Sequence, residues 1–295
     1  MQCSDGSAFP LTLPLPSRPR SKISANFRNS VKRDKISNME GEKFKTPESK
    51  EKEYGRNVEI HAVFVRHGER AESGELTERG KEQAKGVGRS LETKDVIKAY
   101  TSPIQRAIET AEKVIETAQH GKKLKTRIRT ELGIPAFSEV FSGHLQDMET
   151  QHPDSAAEHY LSFGDKKPDQ ETASPHEVAE AMASVLVKYF QMVDRLKSGS
   201  NVDLINTTHQ GLPEALLKEI LVRQEGDENK VGFNTLTEIG GPLKLAKSME
   251  FRIKTDSQGN KTIQLYFRDK IFDIDLDKLN SLAKSYYEKQ HNQGN

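Results

Sequence analysis

V-E-I-H-A-V-F-V-R-H-G-E, residues 58 to 69, decides the fold. Its first nine residues are β-branched and apolar toward their end, and Gly68 follows directly, the pattern of a buried strand running into a turn. Arg66 and His67 therefore stand at the carboxyl end of a strand. Outward from there, Thr77 is a good N-cap, and Leu76, Ala84, Val87 and Leu91 share one helical face, so a helix is predicted from Thr77 to about Leu91. Residues 96 to 101 read as a second short strand. Ser102-Pro103 then open a further helix, a cap followed by proline at the first position, with an apolar stripe through Ala107, Ala111 and Val114. The order so far is β-α-β-α.

Residues 124 to 129 read as a third strand with a strongly basic alternation, better explained as a solvated edge than as an anion funnel. Gly133 and Pro135 break it, and about 133 to 172 reads as an irregular insertion over the site. Ser174-Pro175 start the strongest helix of the chain, which Gly199 ends. Residues 202 to 208 form another buried strand ending in Thr208-His209, followed by a helix over 213 to 222. Two alternating runs between 249 and 267 flank Ser257-Gln258-Gly259-Asn260, a hairpin signal, and 276 to 287 make a closing helix. The expectation is an α/β fold: a three-layer sandwich whose mostly parallel sheet carries helices on both faces and gathers ligands at the carboxyl ends of its strands.

The 295 residues suit one α/β domain, here 58 to 295, behind an extension over 1 to 57 rich in Pro, Ser, Lys and Arg. That extension lacks the apolar surface to offset chain entropy and is expected to be disordered, with Met39 a plausible natural start. Organelle targeting is a weaker reading, because Pro19 and the missing amphipathic period count against it. A net charge of +1 from 45 basic and 44 acidic residues argues against non-specific nucleic-acid binding. Cys3 is the single cysteine, which removes internal disulfides and thiolate metal clusters. No stretch approaches the roughly 20 apolar residues of a spanning helix, so no membrane partner is expected and the cytoplasm is the expected location.

Arg-His-Gly-Glu at 66 to 69, L-T-E-R-G-K-E-Q-A at 76 to 84, T-S-P-I-Q-R-A-I-E-T-A at 101 to 111 and T-H-Q-G at 208 to 211 together resemble the histidine phosphatase superfamily, which includes phosphoglycerate mutases and phosphohistidine phosphatases. The resemblance covers roughly 58 to 222. It implies that His67 is the nucleophile, that Arg66, Arg106 and His209 hold the phosphoryl group, and that a carboxylic acid protonates the leaving oxygen. Glu131, after Arg127-Ile128-Arg129, is the expected acid and Glu139 the runner-up; Gln210, beside His209, cannot supply a carboxyl proton as the His-Asp pair of the acid-phosphatase branch does.

The residue types suit that chemistry on their own terms. A phosphate monoester is a dianion, so its transfer needs fixed positive donors and an in-line nucleophile. Arg66 and Arg106 can each present a planar fork to two phosphate oxygens. An unprotonated ring nitrogen of His67 can attack phosphorus, splitting one hard displacement into two, while His209, protonated under the bound dianion, donates to a phosphate oxygen. Thr77 and Gly80 are explained by capping and close packing. Glu69 is read as a cap or an arginine partner, and the scatter of His144, Asp147, His152, Asp154 and His159 fits no tight metal pattern.

The expected function is thus hydrolysis of a phosphomonoester or phosphohistidine through a phosphorylated His67, without metal or cofactor, on a phosphorylated small molecule or a phosphoprotein. A phosphoglycerate mutase-like transferase and a weakly active phosphate-binding module are the alternatives. The short run from Arg70 to Gly74 into Leu76-Thr77 favours hydrolysis over transfer.

Overall fold

In the computed structural model, residues 53 to 92, 94 to 133, 137 to 152 and 154 to 293 are described. Cys3, Met39 and the expected extension up to residue 52 lie outside them. Residues 53 to 57, read from sequence as part of that extension, are tied to the domain: Tyr54 bridges Lys197 and the Gly55 N–H donates to the Leu196 carbonyl at 2.9 Å.

The first half follows the predicted alternation: β1 (Glu59–Arg66), α1 (Glu78–Ser90), β2 (Val96–Thr101), α2 (Gln105–Thr117) and β3 (Lys122–Ile128). Helices α3 (Glu139–Gln151) and α4 (Ser155–Ser162) come next, then α5 (Pro175–Met192), β4 (Asn201–Thr208) and α6 (Leu212–Ile220). The chain closes with β5 (Leu221–Glu225), β6 (Glu228–Val231), β7 (Ser248–Thr255), β8 (Lys261–Phe267), β9 (Lys270–Ile274) and α7 (Leu276–Gln293).

Among the described residues nine strands join one sheet in the order β3-β2-β4-β1-β7-β8-β9-β5-β6. The strands β3, β2, β4 and β1 are parallel, and from β7 onward the pairing is antiparallel. Two-residue alternation explains the three layers. Ile60, Ala62 and Phe64 of β1 face a core shared with α5, α6 and α7, whereas Val63 and Val65 face Ala84 of α1 and Ala111 and Val114 of α2. The predicted sandwich follows from that division.

Four expectations are corrected. The stretch over 133 to 172 is in good part helical: Ser138 caps α3 by accepting from the Phe141 N–H at 3.1 Å, α4 follows within a few residues, and the part after Ser162 is irregular. Its helical period is obscured because Val140 is 84% exposed and Gly143 interrupts the face. Ser102 does not cap α2, which begins at Gln105 behind Ile104 with no side-chain cap. The helix after His209 ends at Ile220, so Val222 lies in β5 instead. The C-terminal hairpin gains a third strand, because Arg268 and Asp269 both take positive φ (53° and 59°) and close a tight β8-β9 turn without the usual Asn or Gly.

Among the described residues no helix is long and apolar enough to cross a membrane.

Candidate active site

Parallel pairing sets the site. Arg66 is in register with Thr208 and Thr101 with Thr207, so the ends of β1, β2 and β4 bring Arg66-His67, Ser102 and His209 to one edge. The start of β7 lies alongside: the Arg66 N–H donates to the Lys247 carbonyl at 3.1 Å and the Ala246 N–H to the Arg66 carbonyl at 3.0 Å. Over this edge lies a cavity of about 590 Å³ lined by Arg66, His67, Arg70, Arg106 and His209 below and by α3 and α4 above. The segment read as an insertion is therefore the roof of the pocket.

His67 is 6% exposed and held at both ring nitrogens. Its Nδ1 lies 2.7 Å from the Gly68 carbonyl, which can only accept, so Nδ1 carries the proton and Nε2 the lone pair. Nε2 in turn accepts from Arg106 Nε at 3.0 Å. Burial drives the His67 pKa down to about 3, with the charges of Arg106, Arg66 and Arg70 adding to it against the pull of the Gly68 carbonyl. The ring is therefore neutral across the physiological range. Burial and the repulsion of Arg70 and Arg66 likewise push Arg106 down to about 10, so it stays cationic and gains from any dianion placed among the three guanidiniums.

His209 is 2% exposed and its ring centre lies 5.2 Å from that of His67. Its Nε2 meets Ser102 Oγ at 2.8 Å, and Ser102 Oγ accepts from the Ile104 N–H at 3.3 Å. Burial first, then His67, Arg106 and Arg66, hold its pKa well below the ordinary value. His209 Nδ1, Arg66 Nε and Gln210 Nε2 are buried with no hydrogen-bond partner among the described residues. Three buried polar atoms without partners around one cavity are costly unless an oxygen-rich ligand meets them.

Both imidazoles stay neutral when folded but bind protons once unfolded, below about pH 6.5. Their folded pKa values are depressed, so this part of the stability is present above pH 6.5 and lost as pH falls toward the folded values. Between pH 6.5 and 5, His67 alone accounts for a loss of about 2 kcal/mol at about 1.4 kcal/mol per unit. Urea unfolding at pH 7 and pH 5 should show wild type losing more stability than His67→Asn by about that amount. Equal losses in the two proteins would contradict the depressed His67 pKa.

Glycine packing fixes the loop that carries His67. A Cβ on Gly68 would meet the Gly80 carbonyl oxygen at 2.5 Å, and one on Gly80 would collide with the Glu69 carbonyl oxygen, so the two backbones cross in contact. The Gly68 N–H donates to Thr110 Oγ1 at 3.1 Å, and Thr110 donates to the Arg106 carbonyl at 2.7 Å, linking the His67 loop to the start of α2. Thr77 caps α1 by accepting from the Gly80 N–H at 3.0 Å. Glu69 accepts from Thr77 Oγ1 at 3.0 Å and pairs with Arg79 at 3.4 Å.

The structure brings together Arg66, His67, Arg106 and His209 but not the expected acid. Glu131 sits in a 3₁₀ turn (Thr130–Leu132), 2.9 Å from Lys188 Nζ, and does not line the cavity. Burial alone would raise its pKa, yet Lys188, a backbone hydrogen bond and Arg129 together hold it below the ordinary carboxylate value. It is kept ionised and turned away. Glu139 is exposed at the start of α3 and does not line the cavity either. The carboxylates that do are Glu69, committed to Arg79 and Thr77, and Glu149 on α3, whose Oε2 accepts from the Asp154 N–H at 3.2 Å and whose Oε1 has no such bond to the backbone or to Arg79 among the described residues. Glu149 escapes sequence reading because its position depends on α3 folding back over the sheet.

Ser102, Arg70 and Glu214 were also missed. Glu214, fully buried in α6, accepts from the Gly211 N–H at 2.8 Å and the Leu243 N–H at 2.7 Å, while the Leu243 carbonyl accepts from Arg66 Nη1 at 3.0 Å. It thereby ties the His209 turn to the segment that aims Arg66.

The model of the histidine phosphatase superfamily (branch 1) matches residues 62 to 238, and the chain belongs to that superfamily. No curated protein matches the chain. Among solved structures, a phosphoserine phosphatase from Entamoeba histolytica, in complex with 3-phosphoglyceric acid, is 19% identical, with 69% of this chain and 94% of that one covered and a TM-score of 0.44. A phosphoglycerate mutase from Bacillus anthracis is 18% identical over 71% of this chain and 93% of that one, with a TM-score of 0.42. A mycobacterial glucosyl-3-phosphoglycerate phosphatase is 17% identical over 70% and 97%, with a TM-score of 0.43.

Proposed function

We propose that this chain is a phosphomonoester hydrolase that works through a phosphorylated His67. The observation that carries the reading is the oriented imidazole: Nδ1 fixed on the Gly68 carbonyl, and Nε2 presenting its lone pair beside Arg106 at the floor of the cavity. A bound phosphoryl group offers Arg106 a better acceptor than a neutral imidazole, so the guanidinium turns to the anion and releases Nε2 for attack. Arg66 and Arg70 add positive charge around the same space, and His209 gains a proton when the dianion sits beside it.

In the first step the Nε2–P bond forms as the bond from phosphorus to the leaving oxygen breaks, and Glu149 donates its proton to that oxygen. In the second, water attacks phosphorus, the N–P bond breaks, and the Glu149 carboxylate takes the water proton. Glu149 replaces Glu131 in this account because it is the cavity-lining carboxylate outside the Glu69 network. No residue role calls for a metal or cofactor. The catalytic domain spans at least residues 53 to 293.

Phosphate release should match substrate consumption one for one; transfer to a phosphoglycerate acceptor in place of release would instead support a mutase. Glu149→Gln is expected to lower kcat by about 10²-fold on alkyl phosphates, whose leaving oxygen needs a proton, and far less on p-nitrophenyl phosphate, whose leaving group does not. Glu131→Gln should change both rates by less than about threefold, since it acts on Lys188 rather than on substrate. The reverse ranking, with Glu131 the sensitive site, would reinstate it as the acid.

A further inference from the structure

Cations and apolar side chains occupy opposite sides of the cavity. All its arginines and histidines, namely Arg66, His67, Arg70, Arg106 and His209, come from the end of β1 and the loop after it, the start of α2 and the residue after β4. Its α3 and α4 side contributes no cation among the described residues. The face that α3 presents, Ser142, Leu145, Gln146, Glu149 and Thr150, repeats at helical spacing, and its single ionisable side chain is the Glu149 carboxyl, the proton donor proposed above.

The rest of that side is apolar and in part aromatic: Phe137, Ala156, Ala157 and Tyr160. Tyr160 is 2% exposed and its hydroxyl donates to the Ala173 carbonyl at 3.0 Å, so its polar end is spent on the backbone. Phe137 packs on it with ring centres 5.0 Å apart and planes tilted 60°. Tyr160 Cδ1 lies 3.6 Å from where a Cβ on Gly211 would stand, two residues beyond His209. Phe137, more open than the buried Tyr160 behind it, therefore brings an aromatic surface near the phosphate end of the cavity, where the body of a substrate must leave the phosphoryl group.

We propose that the substrate is a small aryl phosphomonoester, whose ring lies against Tyr160, Phe137 and Leu145 while its phosphate meets the arginines. This deepens the hydrolase reading and rests on it. A second phosphate or a carboxylate on the body of the substrate would meet the Glu149 side with no cation to pair it, which disfavours polyanionic sugar acids there. An aromatic ring loses little on leaving water, satisfies that aromatic surface, and stacks at favourable edge or offset geometry. The roof of α3 and α4 and the cavity of about 590 Å³ suit a free small molecule better than a ring carried on a protein chain.

The test uses inert ligands, so that leaving-group reactivity plays no part. Dissociation constants of the full-length protein for methylphosphonate and phenylphosphonate are measured by calorimetry, for wild type, Tyr160→Phe, Tyr160→Ala and Leu145→Asp. Phenylphosphonate is expected to bind wild type and Tyr160→Phe about tenfold or more tighter than methylphosphonate. Tyr160→Ala should bring that ratio near one. Leu145→Asp, on the less buried lid face, should lower it as well and guards against a Tyr160→Ala protein that fails to fold. Equal binding of the two ligands by wild type would overturn the aryl assignment and leave the hydrolase reading standing. A phosphonate-bearing tyrosyl peptide that bound more tightly than phenylphosphonate would overturn the small-molecule part. Binding of neither ligand, with no phosphoryl adduct formed, would sink both readings.

Discussion

His67→Ala is expected to lower turnover of any phosphomonoester by roughly 10⁴-fold or more, because in the proposed mechanism it removes the atom that forms the bond to phosphorus. The loss should fall on kcat and not on KM, since Arg66, Arg70 and His209 still line the cavity and still attract a dianion. Folding should survive. The imidazole makes two hydrogen bonds, to the Gly68 carbonyl and from Arg106 Nε, and its removal leaves Arg106 able to reach phosphate or solvent at the cavity. Steady-state kinetics on p-nitrophenyl phosphate, with inorganic phosphate as competitive inhibitor, check this. A variant that kept a tenth of wild-type kcat would mean that water attacks phosphorus directly and that His67 only binds.

Gly80→Ala, outside the pocket, is expected to damage both fold and activity. Alanine normally stabilises a helix interior relative to glycine by roughly 0.5 to 1 kcal/mol. Here the added methyl would collide with the Glu69 carbonyl oxygen and stand 2.9 Å from the Glu69 nitrogen, so α1 must move away from the loop that carries His67. Overpacking of this kind costs about 1 to 3 kcal/mol, enough to reverse the propensity gain. The same displacement moves Gly68, whose carbonyl fixes the His67 tautomer and whose N–H is tied to Thr110. Tm and kcat should therefore fall together. Gly86→Ala on the same helix, where a Cβ meets nothing within 4 Å, should raise Tm slightly and leave kcat alone. A stabilised Gly80→Ala would show that the two backbones do not touch.

The strands and helices that hold the site were legible because they carry strong local signals. Residues 58 to 66 form a β-branched run closed by glycine, Ser174-Pro175 opens a helix with a full capping box to Glu177, and Thr77 caps α1 as its sequence predicts. Arg66, His67, Arg106 and His209, which the motif resemblance singles out, come together at one cavity because each stands at the end or start of a readable element. What escaped depends on tertiary contact. Ser102 looks like a cap in sequence, but its hydroxyl goes to His209, 107 positions away, and the helix starts without it. Glu131 occupies an expected place after β3, yet Lys188, reaching from α5, turns it from the cavity. Glu149 lines the pocket only because α3 folds over the sheet edge. The strands β5 and β6 read L-V-R-Q-E and E-N-K-V, too polar for period-two alternation, and they are held by the pairing of β5 with β9 and of β6 with β5.

Rapid quenching of full-length wild-type protein during turnover of a labelled phosphomonoester, followed by acid and base treatment of the denatured chain, tests the central claim most directly. The account predicts a phosphoryl adduct that survives base, is lost in acid, maps to the peptide containing His67, and is missing from His67→Ala. Steady phosphate release from wild type with no such adduct at any quench time, or an adduct that persists in His67→Ala, would contradict it.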